Sequence, residues 1–238
     1  MGFQCQQFYI KDDRCAMKVS TDSLIFGSYV PISKAKRALD LGTGSGILAL
    51  MLAQRSAELQ IDAIDCEAEA VGEAAENAAV SPWPQRIQTY QADVRDWQNS
   101  YRYELIVCNP PYFPEQLVSP QLTRQLARQG DTEISDWLRC ARRNLSAAGR
   151  FYWIIPHSQR ESRAEHAQAN GFHLRDELLI FSTAKKPAKL VIQGWQLQPA
   201  TSVAVTGLTI HAGAGYSAEY RELTGDFYLA GKSQAEQG

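Results

Sequence analysis

The feature that most limits how this chain can fold is Leu39-Asp40-Leu41 running directly into Gly42-Thr43-Gly44-Ser45-Gly46 and then into the apolar stretch Ile47 to Ala53. A short apolar run, a glycine-rich turn and a helix-period segment make a strand–turn–helix unit. Glycine lacks a Cβ, so such a turn can bend sharply and let the backbone approach a ligand. The same rhythm continues downstream. Ala38 to Leu41, Ile61 to Ile64, Ile87 to Gln91, Glu104 to Cys108 and Phe151 to Ile155 read as successive strands. Between and after them, Ser45 to Arg55, Glu67 to Ala79, Ile134 to Leu145 and Glu161 to Ala169 read as helices. Pro82 and Pro84 stop the second of these, and Gly149 and Gly171 are expected to end the last two. Glu177 to Phe181 and Leu190 to Trp195 are expected to close the sheet as an antiparallel pair, and Ser217 to Leu229 offers a last helix. The rhythm predicts an α/β fold: a seven-stranded, mostly parallel, doubly wound sheet with one antiparallel strand.

The 238 residues fit one such domain over 31–238, preceded by a polar and aromatic lead-in over 1–30. No apolar run approaches a membrane span, and Met1 to Phe8 has neither the basic start nor the apolar stretch of a signal peptide. Cys5, Cys15, Cys66, Cys108 and Cys140 are scattered and odd in number, which fits reduced thiols in a cytoplasmic protein. His157, His166, His173 and His211 show no metal spacing, so no metal is expected, and no Ser or Cys sits in a nucleophile elbow. The formal net charge of −2 excludes a global field for nucleic acid, so any such contact must come from local clusters. The oligomeric state is left open, and a monomer suffices.

The glycine spacing is G-x-G-x-G, unlike the dinucleotide fingerprint, and Asp40 just before it disfavours a pyrophosphate while suiting a cationic ligand head. A sulfonium amino acid with its ammonium group has that character. Asp65, nineteen residues past Gly46 at the end of the second strand, is placed to accept ribose hydroxyls. Asp93, after the third strand, is a candidate acceptor for an adenine amino group. At the end of the fourth strand comes Asn109-Pro110-Pro111-Tyr112. The two prolines stiffen the turn, so the Asn109 side chain and the Pro110 carbonyl can grip both hydrogens of one planar NH₂ group. Such a nitrogen is a poor nucleophile at rest, so positioning and electrostatics, without a strong base, are the means of catalysis. Tyr112 offers an aromatic face to a flat substrate.

With Asp40 to Gly46 and Asn109 to Tyr112 in hand, the sequence resembles the class I amino-methyltransferases, whose fold is Rossmann-like. The lead-in phrase Asp13 to Val19, Thr21-Asp22, Leu48 to Arg55, Ser81-Pro82-Trp83, Gln125 to Arg128 and the ending Tyr216 to Leu229 are similar to a bacterial family of tRNA adenine N6-methyltransferases. The resemblance implies S-adenosylmethionine as donor, S-adenosylhomocysteine as product, and the adenine 3′ of the anticodon in a valine tRNA as acceptor. It implies Asn109, Pro110, Pro111 and Tyr112 at the base, and Thr21, Asp22, Asp40, Gly42, Gly44, Gly46, Asp65, Asp93 and Asn109 around the cofactor. Thr21 and Asp22 would close over its methionine end. The family commonly carries Glu where this chain has Asp65. Candidate RNA contacts are Lys11, Arg14 and Lys18, then Arg124 and Arg128, with Lys185, Lys186 and Lys189 further on. Rival readings are a glutamine amide in a protein, guanine N2 of ribosomal RNA, and a non-catalytic RNA-binding relative of the fold. The amide enzymes usually carry a helical domain ahead of the fold, where about 30 residues stand here.

Overall fold

Two clusters of apolar side chains, one on each face of a single sheet, organise the protein. The computed structural model describes residues 2–15, 18–32, 34–110 and 134–228. The lead-in forms a hairpin, β1 (Gly2–Gln4) and β2 (Tyr9–Lys11), followed by α1 (Thr21–Tyr29), whose N-cap is Ser20. Then come β3 (Arg37–Leu41), α2 (Ile47–Arg55), β4 (Gln60–Asp65), α3 (Ala68–Val80), β5 (Ile87–Gln91) and β6 (Tyr103–Cys108). A helix over 134–144, here α4, leads into β7 (Leu145–Pro156). After it lie α5 (Arg160–Ala169), β8 (His173–Thr183), β9 (Ala188–Gln196), β10 (Ala204–Ala212), β11 (Gly215–Tyr216) and α6 (Ala218–Thr224).

The large sheet has the order β11-β10-β8-β9-β7-β6-β3-β4-β5. From β5 to β8 this is the expected mostly parallel sheet, in which β9 alone runs antiparallel to both neighbours. The sheet extends beyond it by β10, parallel to β8, and by the short β11, antiparallel to β10. Side chains alternate between faces with the strand period of two. Ala38, Leu105, Val107, Ile154 and Ile192 therefore meet α1, α2 and α6 on one face, while Leu39, Ile106, Phe151, Trp153 and Val191 meet α4 and α5 on the other. The same parity turns Asp40 and Asp65 toward the first face. Cys5, Phe8 and Ile10 of the lead-in belong to that first core, so the hairpin shares it.

Two expectations are corrected. α4 stops at 144, and Gly149 lies inside β7 rather than capping a helix. A Cβ on Gly149 would come within 2.8 Å of Leu145 and 2.9 Å of the Tyr103 carbonyl. That residue thus permits close strand approach where the β6–β7 register shifts between Tyr103 and Leu105. The last helix ends at Thr224, short of Leu229. Gly171 behaves as expected: at φ +79° it follows α5, and its N–H donates to the Gln168 carbonyl at 2.8 Å. The five cysteines are all free. Among the described residues no helix is long and apolar enough to cross a membrane.

Candidate active site at the carboxyl edge of the sheet

In a doubly wound sheet, ligands bind where the strand order reverses, outside the carboxyl ends of the strands. Here that point lies between β3, which leads outward to β4 and β5, and β6, which leads the other way. Leu41 at the tip of β3 pairs with Ile64 of β4 and with Cys108 of β6. The glycine turn that follows Leu41 and the Asn109-Pro110 that follows Cys108 are therefore neighbours across the crevice.

The turn is built by its backbone. Gly42, Gly44 and Gly46 have φ of +77°, +54° and +86°, the left-handed region where a side chain is strained. The N–H groups of Gly42 and Thr43 both donate to the Ile64 carbonyl at 2.9 Å, tying the turn to the next strand. A Cβ on Gly42 would lie 2.5 Å from the Trp137 ring of α4, and one on Gly46 3.2 Å from Ala74 of α3. Among the described residues, a Cβ on Gly44 would meet nothing within 4 Å. The first and third glycines thus serve packing, while the middle one faces open space.

Two carboxylates hold this turn. Asp40 is fully buried; its Oδ2 accepts from Thr43 Oγ1 at 2.6 Å and from the Ala49 N–H at 3.2 Å. Its Oδ1 has no hydrogen-bond partner in the described structure. Burial pushes the Asp40 carboxyl up to about 7, against the opposing pull of Thr43 and Ala49. Asp65, half-buried at the tip of β4, accepts from the Gly44 N–H at 3.0 Å and from the Glu67 N–H at 3.1 Å. Asp93 is held by Arg95, which donates to it from its backbone at 2.8 Å and from its guanidinium at 3.0 and 2.6 Å. Those bonds pull the Asp93 carboxyl down to about 2. Asn109 is half-buried and Pro110 buried, directly after β6. Pro111, Tyr112, Arg124 and Arg128 lie outside the described residues.

The lead-in reaches the same edge. Thr21 and Asp22 form the first turn of α1, both half-buried. Burial raises the Asp22 carboxyl and the charge of Lys189, at the start of β9, lowers it. β9 runs antiparallel, so its start lies at the carboxyl edge, where Leu190 pairs with Pro156. The basic residues Lys11, Arg14 and Lys18 take another course. Arg14 reaches Glu76 at 2.7 Å and Glu73 at 3.8 Å, Lys11 lies 3.9 Å from Glu76, and Lys18 donates to the Asp12 carbonyl. The charges of Lys11 and Arg14 are thus matched within the chain by α3.

Sequence reasoning missed the residues that dock the lead-in. Glu73, a fully buried carboxylate on α3, accepts backbone N–H groups from Asp13, Arg14 and Cys15 at 2.9, 3.0 and 3.1 Å. Burial alone would raise its pKa, yet these bonds leave it below the ordinary glutamate value. Asn77, one turn on, accepts from the Lys11 N–H and donates to the carbonyls of Lys11 and Ser45. It thereby joins the lead-in to the glycine turn. Only a buried polar pair four residues apart on an Ala-rich helix hinted at this.

Comparisons with known proteins agree with this architecture. The family model described as "Methyltransferase small domain" matches residues 15–161. A protein of Erwinia tasmaniensis named tRNA1(Val) (adenine(37)-N6)-methyltransferase is 42% identical over 234 residues, 96% of this chain and 95% of its own. One of the same name from Klebsiella pneumoniae is 40% identical, covering 96% of this chain and 95% of its own. Among solved structures, a predicted O-methyltransferase from Agrobacterium tumefaciens superposes with a TM-score of 0.68 at 17% identity, over 86% of this chain and 96% of its own. Strand order, switch point and glycine turn define a Rossmann-like class I methyltransferase fold. Within that class the chain belongs to the methyltransferase small domain family and, more narrowly, to the tRNA1(Val) (adenine(37)-N6)-methyltransferases.

Proposed function

We propose that this protein methylates N6 of an adenine in tRNA, the base 3′ of the anticodon in tRNA1(Val), using S-adenosylmethionine in the cytoplasm. The observation that carries the reading is the juxtaposition of the Gly42–Gly46 turn and Asn109-Pro110 across the switch point of the sheet.

The crevice suits the donor on several counts. Among the described residues nothing stands over Gly44, so backbone and ligand can come close without a Cβ between them. The buried Asp40 Oδ1 has an unused lone pair beneath the turn, suited to a ligand ammonium reached through a water. Asp65 uses one hydrogen bond on each oxygen for the backbone, and a carboxylate has about four acceptor sites, so ribose hydroxyls can be added. Asp93, fixed by Arg95, retains acceptor capacity for the adenine amino group. Thr21 and Asp22 close over the methionine end. When bound, S-adenosylmethionine supplies an electrophilic methyl group on a sulfonium.

The chain supplies orientation. Asn109 Oδ1 and the Pro110 carbonyl accept the two hydrogens of the adenine NH₂, which turns the nitrogen lone pair toward the donor's crevice. Tyr112, outside the described residues, is the side chain assigned to the face of the base. Once the nitrogen is methylated its surplus proton passes to water, so no strong base is needed. Placing two reactants in register is itself worth several kcal/mol of barrier. A loop base is also the least expensive to unstack.

The test uses an unmodified tRNA1(Val) transcript and a second transcript with guanosine at the target position, each with methyl-labelled donor. Label on the first alone, lost in Asn109→Ala while donor affinity stays near normal, is expected. Equal label on both transcripts, or wild-type turnover in Asn109→Ala, overturns the assignment.

A further inference from the structure

The sheet does not end where a seven-stranded methyltransferase sheet would, and its extension builds a surface on the edge that carries the candidate active site. β8 and β10 both run toward that edge, where Thr183 pairs with His211. The β8–β9 turn, closed by the Lys186 N–H on the Thr183 carbonyl at 3.1 Å, presents Lys185 and Lys186 to solvent. Beside it a cleft of about 540 Å³ is lined by Thr183, Lys185, Thr209, His211, Ser217 and Glu219, among others. His211 is exposed and stacks on Tyr216 (5.1 Å, 17°), which stacks in turn on the buried Tyr220 (4.5 Å, 22°). The phenol of Tyr220 is anchored to that of Tyr228 at 2.7 Å. The result is an aromatic column rooted in the core and ending in solvent.

Charge is also left uncompensated on this face. Lys11 and Arg14 are paired with Glu73 and Glu76, Arg95 with Asp93, Arg139 with Asp136, and Arg160 with Glu177. Lys185, Lys186 and Lys189 have no ion pair among the described residues; Glu219 lines the cleft, and Asp22 senses Lys189. A chain of formal charge −2 that handles RNA must use such a local cluster. Uncommitted lysines next to an aromatic face are the combination that binds unpaired RNA, the first taking phosphates and the second a base. β10 stands four strands from β6, so the column lies about 19 Å along the edge from Asn109.

We propose that this extension is the docking surface for the substrate RNA, with Lys185 and Lys186 on its phosphates and an unpaired base on the His211–Tyr216 stack. The inference rests on the tRNA reading above and adds to it where the RNA is held. It gives a role to a region that lies wholly beyond residues 15–161, the part matched by the family model.

The experiment measures binding of a fluorescent anticodon stem–loop RNA by anisotropy across a salt series. Lys185→Gln/Lys186→Gln should weaken binding about tenfold or more at low salt and lower the slope of log K against log salt by about 1.4–1.8. His211→Ala should weaken binding about fivefold or more and leave the slope unchanged. Donor affinity and Tm should match wild type in each variant, which confirms folding. Wild-type RNA affinity and salt slope in the variants overturn the docking surface while leaving the methylation reading intact. A wild-type protein that neither binds nor methylates the RNA overturns both.

Discussion

Replacing Gly44 by alanine separates a cofactor cradle from a turn that merely joins a strand to a helix. Its φ of +54° makes alanine there unfavourable by about 1–2 kcal/mol. The reduced freedom of the unfolded chain returns about 0.4–1 kcal/mol. The net loss is about 1 kcal/mol, or a fall in Tm of about 2–4 °C for a chain of this size. Among the described residues, nothing beyond its chain neighbours stands within 4 Å of the new methyl, which enters the space assigned to the donor. Gly42→Ala provides the contrast. It carries the same backbone strain and drives a Cβ to 2.5 Å from Trp137, adding about 1–3 kcal/mol of overpacking. Trp137→Phe in that background removes the ring edge that is struck, and should restore part of the stability. Calorimetric titration with S-adenosylmethionine and thermal melts read both effects. Gly44→Ala should lose about tenfold or more in donor affinity, equivalent to about 1.4 kcal/mol, with a near-normal melt. Wild-type affinity in Gly44→Ala refutes the cradle, whatever Gly42→Ala does.

Asp65→Ala should weaken donor binding more than it lowers Tm, since it removes the proposed ribose acceptor as well as the Gly44 anchor; calorimetry that finds affinity unchanged contradicts that role. Asp40, raised to about 7, binds more protons folded than unfolded at any pH between its ordinary value near 3.8 and about 7. Its contribution to stability therefore declines as pH rises through that window, and urea midpoints should show Asp40→Asn flattening the decline; an identical pH slope in the variant contradicts the burial argument. Glu73→Gln should speed hydrogen exchange at the Asp13, Arg14 and Cys15 amides without changing exchange in β3 or β6. Unchanged exchange at those amides would show that the carboxylate does not hold the lead-in.

Much of this was legible because the signals are local. The Leu39 to Ala53 unit declares its strand, turn and helix within fifteen residues, and the apolar runs in β3, β6 and β7 reflect burial on both faces. What escaped depends on partners far away in the chain. Gly149 reads as a helix stop because glycine suits that place, yet here it admits the Tyr103 carbonyl from another strand. β10 carries mainly exposed side chains up to Gly207, so it lacks the apolar alternation that marks a strand, and only pairing with β8 reveals it. Asp93 follows β5 as the strand reading implied, but its bond to Arg95 had no sequence signal beyond proximity. Lys11 and Arg14 looked free in sequence; the acids that match them arrive from α3, about sixty residues on.

The most direct measurement takes total tRNA from a strain lacking this protein, treats it with the enzyme and deuterated-methyl donor, and maps the heavy methyl by nucleoside and fragment mass spectrometry. One heavy N6-methyladenosine, located 3′ of the anticodon of tRNA1(Val), is the predicted result. Heavy methyl on guanine N2, on another tRNA position or on protein glutamine, with that adenine bare, contradicts the account at its centre.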